Sequence, residues 1–280
     1  MAVTPPALDA VLDLLRCPVC RSRLESAPRA LCCPAGHTFN IARQGYASLL
    51  TGAGATSGDD VAMVQSRDRF LAAGRYLPIR EAVARLAAVA VPRQGTVLDV
   101  GCGTGYYLAG VLDEVPGARG LGIDSSVPAV RSAARAHDRA AVASWDVFRP
   151  FPLADGVVDV VLDVFAPRNP LEFRRVLRPT GRLVVVRPTG RHLAELRCQV
   201  PAMVAIDPAK EQRLHQALHP WFEEAGTEEV EFSALLTKVE AIDLVGMTPS
   251  ARHLDADLEV DVLLPDRVTV SVLATAYLPS

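Results

Sequence analysis

From Gly95 to the C-terminus the apolar positions follow two alternating periods. Short runs rich in Val, Leu and Ile occur at 96–100 (TVLDV), 120–124 (GLGID), 140–146 (AAVASWD), 157–165 (VVDVVLDVF) and 182–188 (RLVVVRP). Between them lie stretches of helical composition at 106–115 (YYLAGVLDEV), 127–137 (VPAVRSAARAH) and 171–178 (LEFRRVLR). Near-continuous apolar strands alternating with helices predict an α/β fold whose parallel sheet is covered on both faces. A last alternation, RVTVSVLATAY at 267–277, has no helix after it and is expected to enter the sheet antiparallel. Upstream, 61–73 and 78–91 have helical composition and are split by Gly74 and Pro78. TGAGATSGDD at 51–60 is small and polar, the composition of a linker. These boundaries predict three parts: an N-terminal module over 1–50, a linker and entry helix over 51–75, and the α/β domain over 76–280.

The length of 280 residues suits this division, because single domains usually run ~100–200 residues. No apolar run approaches the ~18 uncharged residues of a membrane span. The start, MAVTPPALDAVLDLL, lacks the basic region and long apolar core of an export signal. A cytoplasmic chain with no membrane partner is expected. Six cysteines, four of them within residues 17–33, then favour a metal or inert thiols over disulfides.

Net charge is −3, but it is unevenly spread: from Trp221 to Ser280 there are twelve acidic residues against three basic ones. Residues 1–220 therefore carry 26 basic against 20 acidic. Arg16, Arg21, Arg23, Arg29 and Arg43 crowd the N-terminal module, where Glu25 is the lone acid between them. A solvated surface has this composition, and so does a phosphate-binding face.

In that module the spacing is Cys17-x2-Cys20, twelve residues, then Cys33-x3-His37. Two chelating knuckles separated by a hairpin's length are what a tetrahedral Cys3His zinc site requires. The Cys-Pro pairs and Gly36 suit tight turns that make ligands converge. Cys32 is a fifth candidate, but in an extended strand it points away from its neighbour, and Cys33 begins the second knuckle. The bland alternative is a cluster of reduced core thiols. Four protein ligands make a structural Zn2+ site with no open position.

VLDVGCGTGYY places Gly101, Gly103 and Gly105 directly after the first strand of the α/β domain. Glycine permits the sharp turn and the close approach of a ligand to backbone. A dinucleotide fingerprint needs a small residue where Tyr106 stands, which weakens a hydride-transfer reading. Asp99 at the strand end suits a cationic amino group better than a pyrophosphate. Asp124 ends the second strand, where a carboxylate can accept from both ribose hydroxyls. Asp146 follows the third, either as an acceptor for an adenine amino group or as an ordinary turn residue. One loop and these acids predict a class I, Rossmann-like, S-adenosylmethionine-dependent methyltransferase domain behind a small N-terminal zinc ribbon. Asp163, closing the fourth strand, is a candidate proton acceptor or a structural aspartate.

With CPVC, CPAGHTFNIARQGY, RDRFLAAGRYLPIR, VLDVGCGTGYY, GRHLAEL and MTP in this order, the chain resembles the bacterial 23S rRNA guanine-N1 methyltransferases, in particular their macrolide (tylosin) resistance branch. The resemblance implies zinc at Cys17, Cys20, Cys33 and His37. It implies a methyl-donor site that includes Tyr76, the loop Gly103, Thr104, Gly105 and Tyr106, and His192, of which Tyr76 and His192 alone would read as a core aromatic and a surface histidine. It further implies a homodimer, a hairpin of 23S rRNA as partner, and methylation of N1 of one guanine, position 748 of hairpin 35, with resistance to tylosin-type macrolides. A small-molecule methyltransferase with a structural zinc module, and a ribosome-binding factor without activity, remain as competing expectations.

Overall fold

The computed structural model describes residues 4–50, 58–200, 213, 216–248 and 264–280. After a short helix α1 (Pro6–Asp9), three strands, β1 (Glu25–Ala27), β2 (Ala30–Cys32) and β3 (Thr38–Asn40), form an antiparallel ribbon. The chain then runs β4 (Ala47–Ser48), α2 (Val61–Ala72), α3 (Leu77–Ala88), β5 (Thr96–Val100), α4 (Tyr106–Glu114), β6 (Arg119–Asp124), α5 (Val127–Ala133), β7 (Ala140–Ser144) and β8 (Val158–Val164). It closes with α6 (Pro170–Val176), β9 (Leu177–Pro188), α7 (Ala194–Gln199), β10 (Phe222–Leu235), α8 (Lys238–Gly246) and β11 (Arg267–Pro279).

Eight strands make one sheet in the order β10-β11-β9-β8-β5-β6-β7-β4. Pairs from β9 to β4 are parallel, while β11 lies antiparallel between β9 and β10. β5 and β8 are buried along their whole length, as expected of a sheet covered on both faces. Because β5 is flanked by β6 on one side and β8 on the other, strand order reverses beside it. The crevice at the carboxyl ends of these strands is where an open α/β sheet binds its ligand.

Local chemistry sets the helix starts. Asp60 accepts from the Met63 amide at the head of α2, and Ser126 accepts from the Ala129 amide at the head of α5. Thr237 and Glu240 form a reciprocal capping box on α8. Of the expected linker, residues 51–57 lie outside the described residues, and Gly58–Asp60 lead directly into α2.

The ribbon is not a separate body. Leu8, Leu14, Leu15, Leu31 and Phe39 share one apolar cluster with Leu98, Phe151 and Leu153 of the α/β domain. Backbone hydrogen bonds run from the Arg16 amide to Pro152 and from the Ala154 amide to Leu14 (2.8 and 2.9 Å). β4, within the segment expected to be ribbon, is an edge strand of the main sheet, paired with β7. Ribbon and α/β domain therefore share strand pairing and core. Helix α2 is likewise fastened to α8: Asp243, 3 % exposed, takes three hydrogen bonds from the Arg69 guanidinium, and Arg75 pairs with Glu240.

Candidate active site and metal centre

The two knuckles converge as their spacing predicts. One donor atom from each of Cys17, Cys20, Cys33 and His37 lies within 4.8 Å of every other. The Cys20 and Cys33 sulfurs are 3.6 Å apart, and His37 Nδ1 is 3.3 Å from Cys33 Sγ and 3.6 Å from Cys17 Sγ. A tetrahedral ion with bonds of about 2.0–2.3 Å sets its ligands about 3.3–3.8 Å apart, so the donor set fits zinc. Cys20 is held down to about 6, first by the Ser22 hydroxyl and then by the Ser22 backbone, while burial pushes Cys17 up. Cys32 ends β2 half-buried and outside the cluster.

The five arginines divide. Arg21 adopts a left-handed backbone, φ 64°, and its guanidinium donates to the Phe151 and Leu153 carbonyls at 2.6 and 2.9 Å. It joins the ribbon to the 151–153 segment. Arg16 turns back on the carbonyls of Asp13 and Leu15. Arg23, Arg29 and Arg43 are exposed, with no side-chain partner among the described residues.

In the crevice, Gly101, Gly103 and Gly105 have φ of 69°, 53° and 81°. A Cβ on Gly101 would meet Ala166 Cβ at 2.7 Å, so side chains are excluded where the loop passes beneath the 165–168 segment. Thr104 is buried within the loop, and Tyr106 starts α4 under the Arg80 guanidinium, 5.0 Å from its ring centre. Asp124 accepts from the Gly103 amide at 2.9 Å and the Ser126 amide at 2.8 Å. Burial raises its carboxyl and those two backbone donors offset part of the rise. Arg67 of α2, ion-paired with Asp59, lies over Gly103 and donates to the Met247 carbonyl. RDRFLAAGRYLPIR contained this arginine, but only the three-dimensional placement of α2 reveals its position over the loop.

Asp99 is 2 % exposed and its Oδ2 has no hydrogen-bond partner. Burial pushes it up to about 8, reinforced by the charges of Asp124 and Asp163. A buried carboxylate oxygen left open near the end of the central strand fits a cationic amino group. Asp146 sits past β7 with Oδ1 accepting from the Phe148 amide at 3.0 Å and Oδ2 3.8 Å from Arg149; it caps its own turn.

Asp163 lies near the end of β8. It is fully buried and ion-paired with Arg168, 2.9 Å from Oδ2 to Nε. That pairing ties the end of β8 to the segment that follows it.

Tyr76 and His192, 116 residues apart, meet with Oη 3.3 Å from Nε2. Because a backbone amide can only donate, His192 Nδ1 must accept from Ser271 N (3.2 Å), which places the imidazole proton on Nε2. Burial, with Arg197 nearby, pulls His192 down to about 4, so the ring is neutral. Tyr76 Oη thus accepts from His192. Tyr107 and Phe165 complete the cluster, neither foreseen from the sequence.

A glycine loop under an open buried carboxylate, on a Rossmann-like sheet joined to a Cys3His ribbon, defines a zinc-ribbon, S-adenosylmethionine-dependent methyltransferase. Residues 15–52 match the zinc ribbon of the RlmA N-terminal family, and residues 93–226 match a methyltransferase domain family. A Micromonospora griseorubida protein assigned by name as a 23S rRNA (guanine-N(1)-)-methyltransferase is 48% identical over 96% of this chain and 98% of its own. The 23S rRNA (guanine(748)-N(1))-methyltransferase of Streptomyces fradiae is 44% identical over 88% of this chain and 89% of its own. This chain belongs to the 23S rRNA (guanine-N1)-methyltransferase family. The fold alone is shared with a Haloferax volcanii methyltransferase solved with its Trm112 activator, at a TM-score of 0.52 and 19% identity over 80% of this chain and 99% of that one.

Proposed function

We propose that this protein methylates N1 of one guanine in a 23S rRNA hairpin, position 748 of hairpin 35, and so confers resistance to tylosin-type macrolides. The observation that carries the reading is the union, on one continuous core, of a donor crevice with an open buried carboxylate and a ribbon presenting unpaired arginines. When bound, S-adenosylmethionine supplies an electrophilic methyl group. The protein's own task is to hold donor and acceptor in attack geometry and to keep water out. Asp99 holds the amino group, Asp124 the ribose, and the glycine loop with Thr104 and Tyr106 follows the donor's backbone-facing edge. Asp146 borders the adenine end. Tyr76 is fixed by neutral His192. One zinc per chain closes the ribbon, and we assign the protein to a homodimer, for which Val239 and Ile242, exposed one turn apart on α8, offer apolar surface.

Primer extension on rRNA methylated in vitro tests the substrate, since a methyl on N1 blocks base pairing and stops the polymerase at one nucleotide. Label appearing on small amines or phenols and never on RNA would overturn it, as would cofactor binding without any transfer. Arg23→Glu, Arg29→Glu and Arg43→Glu together should reduce RNA methylation steeply and flatten its salt dependence, the slope falling by about 0.7 for each single-strand phosphate that is no longer neutralised. Cofactor affinity should not change. Normal methylation by this triple variant would remove the ribbon from RNA docking.

Asp124→Ala should weaken binding of S-adenosylhomocysteine by about 1.5–3 kcal/mol, the worth of hydrogen bonds to a charged acceptor. Calorimetric titration measures it, and an unchanged affinity would place the ribose elsewhere.

A further inference from the structure

Phe165 breaks two rules that its neighbours obey. It follows β8 with a left-handed backbone, φ 56°, a conformation that bulky side chains rarely adopt. Its ring is also open: Phe165 is 40% exposed, whereas Tyr76, Tyr107 and His192, which surround it, are 3%, 9% and 8% exposed. Such strain persists only where surrounding structure enforces it. Here the Phe165 amide donates to the Val186 carbonyl (3.2 Å), Arg168 pairs with buried Asp163, and the Asn169 side chain donates to the Val147 carbonyl (2.9 Å). Ala166, the next residue, is pressed against Gly101 of the donor loop.

The ring stacks on His192, with centroids 6.0 Å apart and planes 27° from parallel, and stands 6.4 Å from both Tyr76 and Tyr107. His192 has its proton and lone pair committed to Tyr76 and Ser271, so it backs Phe165 as a fixed neutral plate. One side of Phe165 is therefore backed by His192, while the residue after it packs on Gly101 of the donor loop.

We propose that Phe165 is the stacking platform for the acceptor base, holding an unstacked guanine against the open side of its ring next to the methyl donor. The proposal rests on the rRNA reading above and adds the residue that receives the base. An aromatic plate suits a base drawn out of a loop, because every base offers a π-face and single-stranded RNA is recognised largely by such stacking. The left-handed backbone is then the means by which a residue at a buried strand end turns its ring outward.

Single-turnover methyl transfer to the hairpin, at saturating cofactor and varied RNA, tests this with three variants. Phe165→Leu keeps apolar bulk without a π-face and should lower kcat/KM for RNA roughly 5- to 150-fold, the equivalent of about 1–3 kcal/mol of base stacking. Phe165→Tyr and Phe165→Trp should restore most of it. Phe165→Asn accepts the left-handed backbone more readily, so its thermal midpoint should equal or exceed that of the wild type while its activity falls. Affinity for S-adenosylhomocysteine should be unchanged throughout. With 2-aminopurine at the acceptor position, the wild type should quench the base through stacking and Phe165→Leu should leave it bright. Leucine matching phenylalanine in rate and quenching overturns the proposal, and so does a loss of cofactor affinity in parallel with activity. Absence of RNA methylation by the wild type instead defeats the rRNA reading itself.

Discussion

Replacing Cys33 with serine is expected to strip the metal from the protein and to destabilise far more than the ribbon. Apparent binding free energies of structural zinc in small finger peptides are about 10–16 kcal/mol at neutral pH, and that energy is folding energy for a module too small for its own core. In this chain the module is also part of a larger core. Cys17 and Cys33 are buried beside Leu31 and Phe39, in the cluster that reaches Phe151 and Leu153. The Arg21 clamp on the Phe151 and Leu153 carbonyls starts from the first knuckle, one residue past Cys20. Losing the ion therefore frees one face of the sheet along with the knuckles. Elemental analysis should show zinc near one per chain in the wild type and in Cys32→Ser, and close to none in Cys33→Ser. Thermal unfolding of Cys33→Ser should begin well below that of the wild type. Equal zinc in wild type and Cys33→Ser would refute the ligand set.

The second large effect concerns Asp99 and is read through protons. In the free protein burial holds its carboxyl near 8, well above the ~3.9 of an exposed aspartate. An acid whose pKa is raised by folding is a stability cost that grows with pH: the folded state keeps a proton that the unfolded state has released, so stability falls between about pH 4 and pH 8. A cationic amino group against Oδ2 favours the ionised form and lowers that pKa. Binding at pH 7 should thus release close to one proton, and affinity should rise with pH from 6 to 7.5. Calorimetry with S-adenosylhomocysteine in two buffers of different ionisation enthalpy reads the proton directly. Asp99→Asn should abolish the release, and Asp99→Ala should cost about 2–5 kcal/mol of affinity, the range for truncating one partner of a buried charge pair. The neighbouring charges are Asp124, Asp163 with its partner Arg168, and Arg67 with Asp59. If Asp99→Asn still releases the proton, one of these titrates in its place.

Sequence alone determined what short-range geometry controls. Cys17-x2-Cys20 and Cys33-x3-His37 each bring two donors together within a single turn, so the ligand set was legible before any fold was known. The positions of Gly101, Gly103 and Gly105 and of Asp99 and Asp124 at the ends of β5 and β6 were legible in the same way, because each lies within or beside a short apolar run that reads as a strand. Strand and helix periods gave β5 through β9 and the antiparallel β11. They did not give β10, whose run FEEAGTEEVEFSAL is mostly exposed and polar: an edge strand needs apolar contacts on few positions, and pairing with β11 defines it.

The tertiary structure decided everything that depends on partners far apart in the chain. Arg21 became a docking clamp because carbonyls 130 and 132 residues away pass within its reach. Asp163 became half of a buried ion pair because Arg168 folds back onto it, and Tyr76 found its donor in His192 only when α3 and the segment before α7 met. Phe165 is an unremarked apolar residue in sequence; its left-handed backbone, its stacking on His192 and its open ring exist only once β8, β9 and the donor loop pack together. Local pattern specifies which chemistry the chain carries, whereas burial and long-range contact, which no sequence window contains, assign each group its charge state, its partner and its task.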